Sequence, residues 1–210
     1  MTTDTTGCIK KSRGRPKVFD RDAALDIAMT LFWQHGYEAT SLSHLVSATG
    51  AKAPTLYAEF TNKEGLFRAV LERYVMHFTR RNEAQLFCDE KNVRQALSDY
   101  LMAVARSFTN PDSPQGCFMI TTSSALGASS KQIAAMIRAH HAEQSRMLIR
   151  FLTERKLRGE LPEHCQPEVL GNYLSCLIRG MSVSAREGEC FQTLKQLIDT
   201  TLRILPYLAD

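Results

Sequence analysis

The sequence predicts an all-α protein in which a small N-terminal unit of three helices precedes a larger helical domain. Apolar residues recur at three- and four-residue spacing along most of the chain, which is the period of an amphipathic helix. No alternating run of apolar and polar residues is long enough to predict a strand. The 11 glycines and 7 prolines fall mainly between these periodic segments, where they fit helix ends.

The first two helices are short and closely spaced. Asp20 is a predicted N-cap for the first helix, and Gly36 is its predicted C-terminal stop. Thr40 is a predicted N-cap for the second helix, which Gly50 ends. The turn between the second and third helices is therefore tight and contains a glycine.

The third and fourth helices follow without a long loop. Pro54 fits the first position of the third helix, where its missing N–H costs no hydrogen bond, and this helix ends near Phe60. The segment Thr61-Asn62-Lys63-Glu64 has the spacing of a capping box and opens a longer helix that runs through Phe78. The later predicted helices span residues 93–108, 117–126, 130–158, 167–188 and 191–205, with Pro206 interrupting the last.

Composition restricts the class of protein. With 44% hydrophobic and 23% charged residues, the chain has enough apolar surface for a packed core, which excludes a wholly disordered protein. No run approaches the roughly 18 apolar residues of a membrane span, and the N-terminus lacks the apolar stretch of a signal peptide, so we expect a cytoplasmic protein without a membrane partner. The six cysteines have no CxxC spacing, and we expect neither a disulfide framework nor a zinc ribbon.

Positive charge is concentrated ahead of the first helix. Five lysines and arginines fall between Lys10 and Lys17 with no acidic residue among them. Such a basic arm favours contact with nucleic acid, and the alternative is a solvated tail that only keeps the protein soluble. The predicted organisation is a basic arm over residues 1–17, a DNA-binding domain over 18–65, and a helical effector-binding and dimerisation domain over 66–210.

The two short helices between residues 40 and 60 have the lengths and the turn of a helix-turn-helix motif. In that motif the second helix lies in the major groove of DNA while the first crosses the backbone. Lys52 can contact a phosphate or a guanine edge, and Thr55 and Tyr57 offer groups to bases or phosphates. Lys63 adds charge where helical N–H groups already favour phosphate. Length and turn alone do not exclude an ordinary helical corner.

The residues of this segment resemble a known family. Phe32-x3-Gly36-Tyr37-x-Ala39-Thr40-Ser41-x3-Leu45, followed by Gly50-x3-Pro54-Thr55-Leu56-Tyr57-x2-Phe60-x2-Lys63-Glu64-x-Leu66, is similar to the N-terminal signature of the TetR/AcrR family over about residues 20–70. The resemblance implies a DNA-binding repressor that acts as a homodimer. It assigns DNA or phosphate contacts to Thr40, Ser43, Lys52, Ala53, Pro54, Thr55, Tyr57 and Lys63.

Two departures from the family pattern leave the base preference open. Ala53 and Ala58 are small where many relatives carry longer or aromatic side chains, and Glu59 replaces a common histidine. A carboxylate at position 59 can accept a hydrogen bond from cytosine N4 or point away from the DNA.

The basic arm carries a second, shorter resemblance. Arg13-Gly14-Arg15-Pro16 resembles the core of an AT-hook, which lies in a narrow A·T-rich minor groove. Arg13, Arg15 and Lys17 are therefore predicted DNA contacts, with the solvated tail as the alternative.

An effector pocket is predicted around the long helix that begins near residue 130. Gln144 falls in the middle of its apolar stripe, with His140 and His141 at the flanks, and buried polar groups of this kind can line a ligand site. Sulfur ligands at nearby positions make copper(I) one candidate effector. The alternative is that the histidines touch water and the sulfur residues fill the core. The predicted pocket residues are Met102, Cys117, Met119, His140, His141, Gln144, Met147 and Phe151.

The last helix has a near-heptad apolar seam. Together with the preceding helix it predicts an intermolecular four-helix bundle between two copies of the chain. The predicted interface residues are Tyr173, Leu174, Leu177, Met181, Leu194, Ile198, Thr201 and Leu205.

These features predict a homodimeric repressor on a near-palindromic operator, released by a small-molecule or metal effector and requiring no cofactor. The alternative is a DNA-bound protein of the same fold that docks a protein partner. An enzyme is not expected, because Gly180-Met-Ser182-Val-Ser184 departs from the GxSxG elbow at its last position and the chain has neither a phosphate-binding loop nor an HExxH motif.

Overall fold

A computed structural model of the chain describes residues 19–124, 126 and 131–208. Every regular element in these ranges is helical, which confirms the predicted all-α class. A π-helical turn (Val75–Thr79) joins α4 to α5. The helices are α1 (Arg21–Ala39), α2 (Leu42–Thr49), α3 (Ala53–Phe60), α4 (Lys63–Tyr74), α5 (Arg80–Glu83), α6 (Val93–Phe108), α7 (Phe118–Ser124), α8 (Lys131–Leu157), α9 (Pro167–Arg186) and α10 (Phe191–Leu208).

The first helix begins and breaks at the predicted residues. The Asp20 carboxylate accepts a hydrogen bond from the backbone N–H of Ala23 at 3.0 Å, so the predicted N-cap is confirmed. Gly36 has a φ of 80° and interrupts the regular helix, although helical turns continue to Ala39. A positive φ is favourable only for a residue without a side chain, which is why glycine marks this position.

Two of the predicted caps are wrong by one residue. Ser41, not Thr40, caps α2 by accepting a hydrogen bond from the N–H of His44. Asn62, not Thr61, caps α4 in the same way. Thr40 cannot cap α2 because its hydroxyl is buried and donates to the carbonyl of Gly36 in α1. Thr61 cannot cap α4 because its φ of 64° places it in the turn that ends α3.

The turn between α3 and α4 depends on Gly65. A Cβ at this position would overlap the carbonyl oxygen of Phe60, so the two helices approach too closely for any side chain. We expect Gly65→Ala to lower the free energy of unfolding by about 1–3 kcal/mol, measured by denaturant unfolding. Thr61→Gly, a control in the same turn, removes a strained positive φ, and its stability should equal or exceed that of the wild type. Equal stability of Gly65→Ala and the wild type would contradict this account of the turn.

An aromatic cluster joins α1 to α4 and to the larger part of the chain. The ring centroids of Phe32 and Phe67 are 5.2 Å apart, and Phe118 of α7 lies 5.6 Å from Phe67 and 5.9 Å from Trp33. Because this cluster joins α1, α4 and α7, the N-terminal unit shares one core with the larger part of the chain. The predicted division after residue 65 falls within the first turn of α4 and stays a prediction.

Ion pairs reinforce the same junction on the surface. The Arg73 guanidinium donates to both carboxylate oxygens of Asp26, at 2.6 and 2.8 Å, and to Asp22 at 3.0 Å. A bidentate pair of this geometry fixes orientation as well as distance. These contacts therefore tie α4 to α1 at the surface.

The remaining helices form the larger domain. α8 packs along α9, where Gly171 lets the two backbones approach at Ile149, and α10 packs against α6 and α9. The helix of α10 continues to Leu208, so the predicted interruption at Pro206 is wrong; in a last turn, a proline removes only a final hydrogen bond. None of the helices in the described ranges is both long and apolar enough to cross a membrane.

Candidate functional site

The helix-turn-helix geometry is present. α2 ends at Thr49 and is capped by Gly50, whose φ is 65° and whose N–H donates to the carbonyl of Val46 at 3.1 Å. The third helix begins at Ala53, one residue before the position predicted from Pro54. Leu56 and Phe60 are buried in the small core as predicted, so the opposite face of α3 points outward.

Most of the predicted DNA contacts lie on accessible surface. Ser43, Lys52, Pro54 and Tyr57 are exposed, with Tyr57 presenting 47% of its surface to solvent. Ala53, Thr55 and Lys63 are half-buried, and Arg13, Arg15 and Lys17 lie outside the described residues. The exposed phenol and ammonium groups on and beside α3 can reach DNA without rearrangement of the core.

Thr40 is an exception. Its side chain is 0% exposed, and its hydroxyl donates to the carbonyl of Gly36 at 2.8 Å. The predicted phosphate contact by this side chain is therefore wrong, since both its surface and its donor are occupied. The residue instead ties the end of α1 to the start of α2.

Sequence reasoning missed two polar residues at the start of α2. Ser41 is exposed, and its hydroxyl lies 2.8 Å from that of Ser43. His44, also exposed, follows in the first turn. The signal was a serine directly before the apolar run, which is a strong N-cap preference, but the preceding Thr40 competed for the same role.

Lys63 is held at the junction of α1 and α4. Its ammonium group lies 4.3 Å from the centre of the Tyr37 ring and donates to the carbonyl of Glu38 at 3.4 Å. Partial burial lowers the pKa of Lys63, and the nearby Glu38 carboxylate opposes that change. The charge is thus positioned beside the exposed N–H groups at the start of α4, where phosphate is favoured.

The carboxylate of Glu59 already has a partner within the chain. Arg21 donates its Nε–H to Glu59 Oε1 at 2.6 Å, and the same guanidinium lies 5.4 Å from the centre of the Phe60 ring. Of the two roles left open for Glu59, this contact favours the one in which it points away from the bases.

Lys52 is the most informative single contact to remove. Its side chain is exposed at the start of α3, so Lys52→Ala should leave folding unchanged and weaken DNA binding by about 1–3 kcal/mol if it contacts a guanine. A phosphate contact would instead weaken binding to all sequences and lower its salt dependence. Filter binding to operator and random duplexes at several salt concentrations separates these cases. Arg158→Ala removes an exposed charge just after α8, outside the helix-turn-helix, as a control. Unchanged binding by Lys52→Ala would exclude Lys52 from the interface.

A small internal cavity of about 30 Å³ lies between α4, α6, α7, α8 and α9. Four predicted pocket residues line it together: Cys117, Met119, His141 and Gln144. The other four, Met102, His140, Met147 and Phe151, do not line it. The sequence did not predict the aromatic walls, because an aromatic residue in an apolar helix gives no sign that it faces a cavity; they are Tyr74, Phe78, Tyr100 and Phe108.

The polar groups of this cavity include two tyrosines, a cysteine, a glutamine and a histidine. Tyr74 donates to Cys117 Sγ at 3.5 Å, and burial raises the pKa of both groups. Gln144 donates to the Tyr100 hydroxyl at 3.4 Å. Burial lowers the pKa of His141, whose Nε2 has no hydrogen-bond partner in the described part of the chain.

Copper(I) as the effector stays a prediction. Within the described ranges, no three or more His, Cys, Asp or Glu side chains are grouped so that they could hold a metal ion.

The predicted dimer residues mostly lie inside the chain's own core. Six of them are at most 5% exposed in the single chain, because α10 packs against α6 and α9 of the same chain. These six side chains therefore do not form a free surface. They are Leu174, Met181, Leu194, Ile198, Thr201 and Leu205. Tyr173 and Leu177 are half-buried. The apolar side chains that α9 and α10 leave exposed are Val169, Val183, Leu197 and Ile204.

Comparison with known proteins identifies a matching family and similar proteins. Residues 24–70 match the family described as bacterial regulatory proteins, tetR family. The chain is 61% identical to the HTH-type transcriptional repressor ComR of Escherichia coli K12 over 208 residues, which are 99% of each chain. It is 28% identical to the repressor BdcR of the same organism, over 88% of this chain and 89% of the relative.

A solved structure has the same architecture. A cysteine mutant of the TetR family transcriptional regulator CifR, complexed with 26-base-pair operator DNA, superposes with a TM-score of 0.85 at 30% identity. The match covers 91% of this chain and 100% of that one.

Proposed function

The chain belongs to the TetR family of bacterial regulatory proteins, and on that premise we propose that it is a transcriptional repressor that binds operator DNA as a homodimer. The observation that carries this function is the outward face of α3, where Lys52, Pro54 and Tyr57 are exposed above a buried Leu56 and Phe60. A rigid helix with a polar outer face and a fixed inner face is what major-groove recognition requires.

A dimer supplies the second recognition helix. Two copies of α3 about 34–36 Å apart fit successive major-groove faces on one side of a near-palindromic operator. A single helix reads too few bases for a specific affinity, so operator binding depends on dimer formation.

The outer faces of α9 and α10 support the dimer. Val169 is 60% exposed, Val183 46%, Leu197 43% and Ile204 39%, so the single chain covers these apolar side chains only in part. Pairing the two helices with those of a second copy about a two-fold axis would bury all four in a four-helix bundle.

The position of the cavity supports release by an effector. Tyr74, in the cavity wall, belongs to the last turn of α4, and the first turn of the same helix follows α3 directly. A molecule that binds a conformation with a different spacing of the two α3 helices would release the operator, limited by its differential affinity for the two states.

A genome-wide footprint tests the function. We expect the chain to protect a small number of near-palindromic sites that overlap promoters, and transcription from those promoters to rise when its gene is deleted. Many scattered sites without a change in transcription would favour the alternative of a DNA-bound protein that docks a partner.

The basic arm contributes a separable part of the affinity. Removal of residues 1–17 should leave the fold and the dimer intact but weaken operator binding, most where the flanking sequence is A·T-rich. Binding should also become less steep in salt, because the arm no longer displaces counterions. Gel-shift titrations of both proteins at several salt concentrations measure this. Equal affinities would make the arm a solvated tail.

A further inference from the structure

An open groove of about 980 Å³ runs along the surface formed by the π-helical turn, α5, α6 and the loop after α6. Arg81 and Arg106 line this groove, and neither makes an ion pair with any residue in the described part of the chain. Among the described residues that line it there is a single carboxylate, Asp99, which is paired with Lys91 at 2.7 Å. The groove therefore presents uncompensated positive charge.

One of the two arginines is held in place. The Arg106 guanidinium lies 5.4 Å from the centre of the Phe191 ring, and both residues line the groove. A guanidinium within about 6 Å of a ring centre is attracted to the ring, and its N–H edge matches the two oxygens of a carboxylate. The groove thus offers a directional site for an organic anion.

Only one layer of side chains separates this groove from the internal cavity. Phe78, Asn82 and Ser107 line both spaces. Asn82 donates to the Ser107 hydroxyl at 3.2 Å, which ties α5 to α6 across the boundary. A molecule that displaced Phe78 would extend from the groove into the cavity.

The two spaces differ in chemistry. The cavity side of the boundary has aromatic and apolar walls, among them Tyr100, Phe108 and Ile178, and the described residues that line it include no lysine, arginine or carboxylate. They include one histidine, His141, whose pKa is lowered by burial, which favours the uncharged ring. Burying an unpaired charge there would be costly, whereas an apolar group would be stabilised. The charged end of a ligand therefore belongs in the groove and its apolar body in the cavity.

We propose that the groove and the cavity form one site for a small organic acid, whose carboxylate binds Arg81 and Arg106 and whose apolar body lies beyond Phe78. The role of this acid as the effector of the repressor depends on the proposed function, whereas its binding to the chain does not. A cavity of about 30 Å³ has room for about one water molecule, so binding requires Phe78 to move. Phe78 belongs to the π-helical turn, an irregularity that often marks functional sites.

The chain carries its own reporter for this movement. Trp33 is the only tryptophan of the sequence, and its ring centre lies 6.1 Å from that of Phe78. The DNA-free full chain is titrated with benzoate, and with benzamide as an uncharged molecule of the same shape, while tryptophan fluorescence is recorded. We expect saturable changes with benzoate and at least about tenfold weaker binding of benzamide.

Three variants locate the charge. Arg81→Gln and Arg106→Gln should each weaken benzoate binding about five- to tenfold, because each removes a charged hydrogen-bond donor. Arg80→Gln removes the neighbouring charge of α5, which does not line the groove, and should bind benzoate as the wild type does. Circular dichroism of each variant checks that the fold is retained.

Several results would overturn the site. Equal binding of benzoate and benzamide would remove the role of charge, and no saturable change with either would remove the site altogether. Equal loss in Arg80→Gln and Arg81→Gln would show a general effect of charge rather than this groove. Operator binding is measured separately without benzoate, so that a failure of the repressor function is distinguishable from a failure of the acid site.

Discussion

Leu197→Glu is expected to yield folded monomers that bind the operator at least about 100-fold more weakly than the wild type. Leu197 is 43% exposed on the outer face of α10, so a carboxylate there meets water in the single chain. In the dimer the same carboxylate would be buried against a second apolar face without a partner. Loss of the dimer removes one of two recognition helices while the remaining helix-turn-helix motif stays intact.

Sedimentation velocity, circular dichroism and a gel shift measure these three properties on one sample. The neighbouring Gln196 provides the control, because it is exposed on the side of α10 that faces α6, and Gln196→Glu should remain dimeric with full affinity. A dimeric Leu197→Glu protein with full operator affinity would show that the interface lies elsewhere.

Ile198→Glu, one residue further along, is expected to prevent folding rather than dimerisation. Ile198 is 0% exposed in the single chain, where α10 packs on α6 and α9. An uncompensated buried charge costs about 3–5 kcal/mol, which is comparable to the whole stability of many domains.

Thermal unfolding followed by circular dichroism tests this second expectation. Ile198→Val removes one methyl group and should cost only about 0.5–1.5 kcal/mol, so it separates a change of volume from a change of charge. A folded monomeric Ile198→Glu protein with wild-type melting would return Ile198 to the interface that the heptad pattern predicted.

These adjacent residues show where sequence reasoning stopped. A near-heptad seam establishes that one side of α10 is covered by other helices, but it does not say whether those helices belong to the same chain. The seam through Ile198 is covered by the chain itself, and the exposed apolar residues lie on the next face, at Leu197 and Ile204.

Helix positions were predicted more fully than their caps. The periodicity, together with Asp20, Gly36 and Gly50, placed the first three helices because those signals are local. The assignment of the cap to Thr40 was wrong because that side chain is buried by the end of α1, which is a tertiary contact.

Only four of the eight predicted pocket residues line the cavity, again because tertiary contacts decide which residues meet. Gln144 and His141 were found because polar residues near an apolar stripe are unusual in one helix. Arg81 and Arg106 carried no such signal, since exposed arginines are common and only the packing of α5 beside α6 brings them to one groove.

Selection of operator sequences from a random duplex pool tests two-helix recognition most directly. The purified full-length chain is incubated with the pool, and the bound duplexes are amplified and sequenced. We expect enrichment of a motif with two half-sites related by a two-fold axis, whose centres are about one helical turn apart, and loss of that enrichment with Leu197→Glu. Enrichment of a single asymmetric site, or the same two-fold motif with the monomeric variant, would contradict recognition by paired α3 helices.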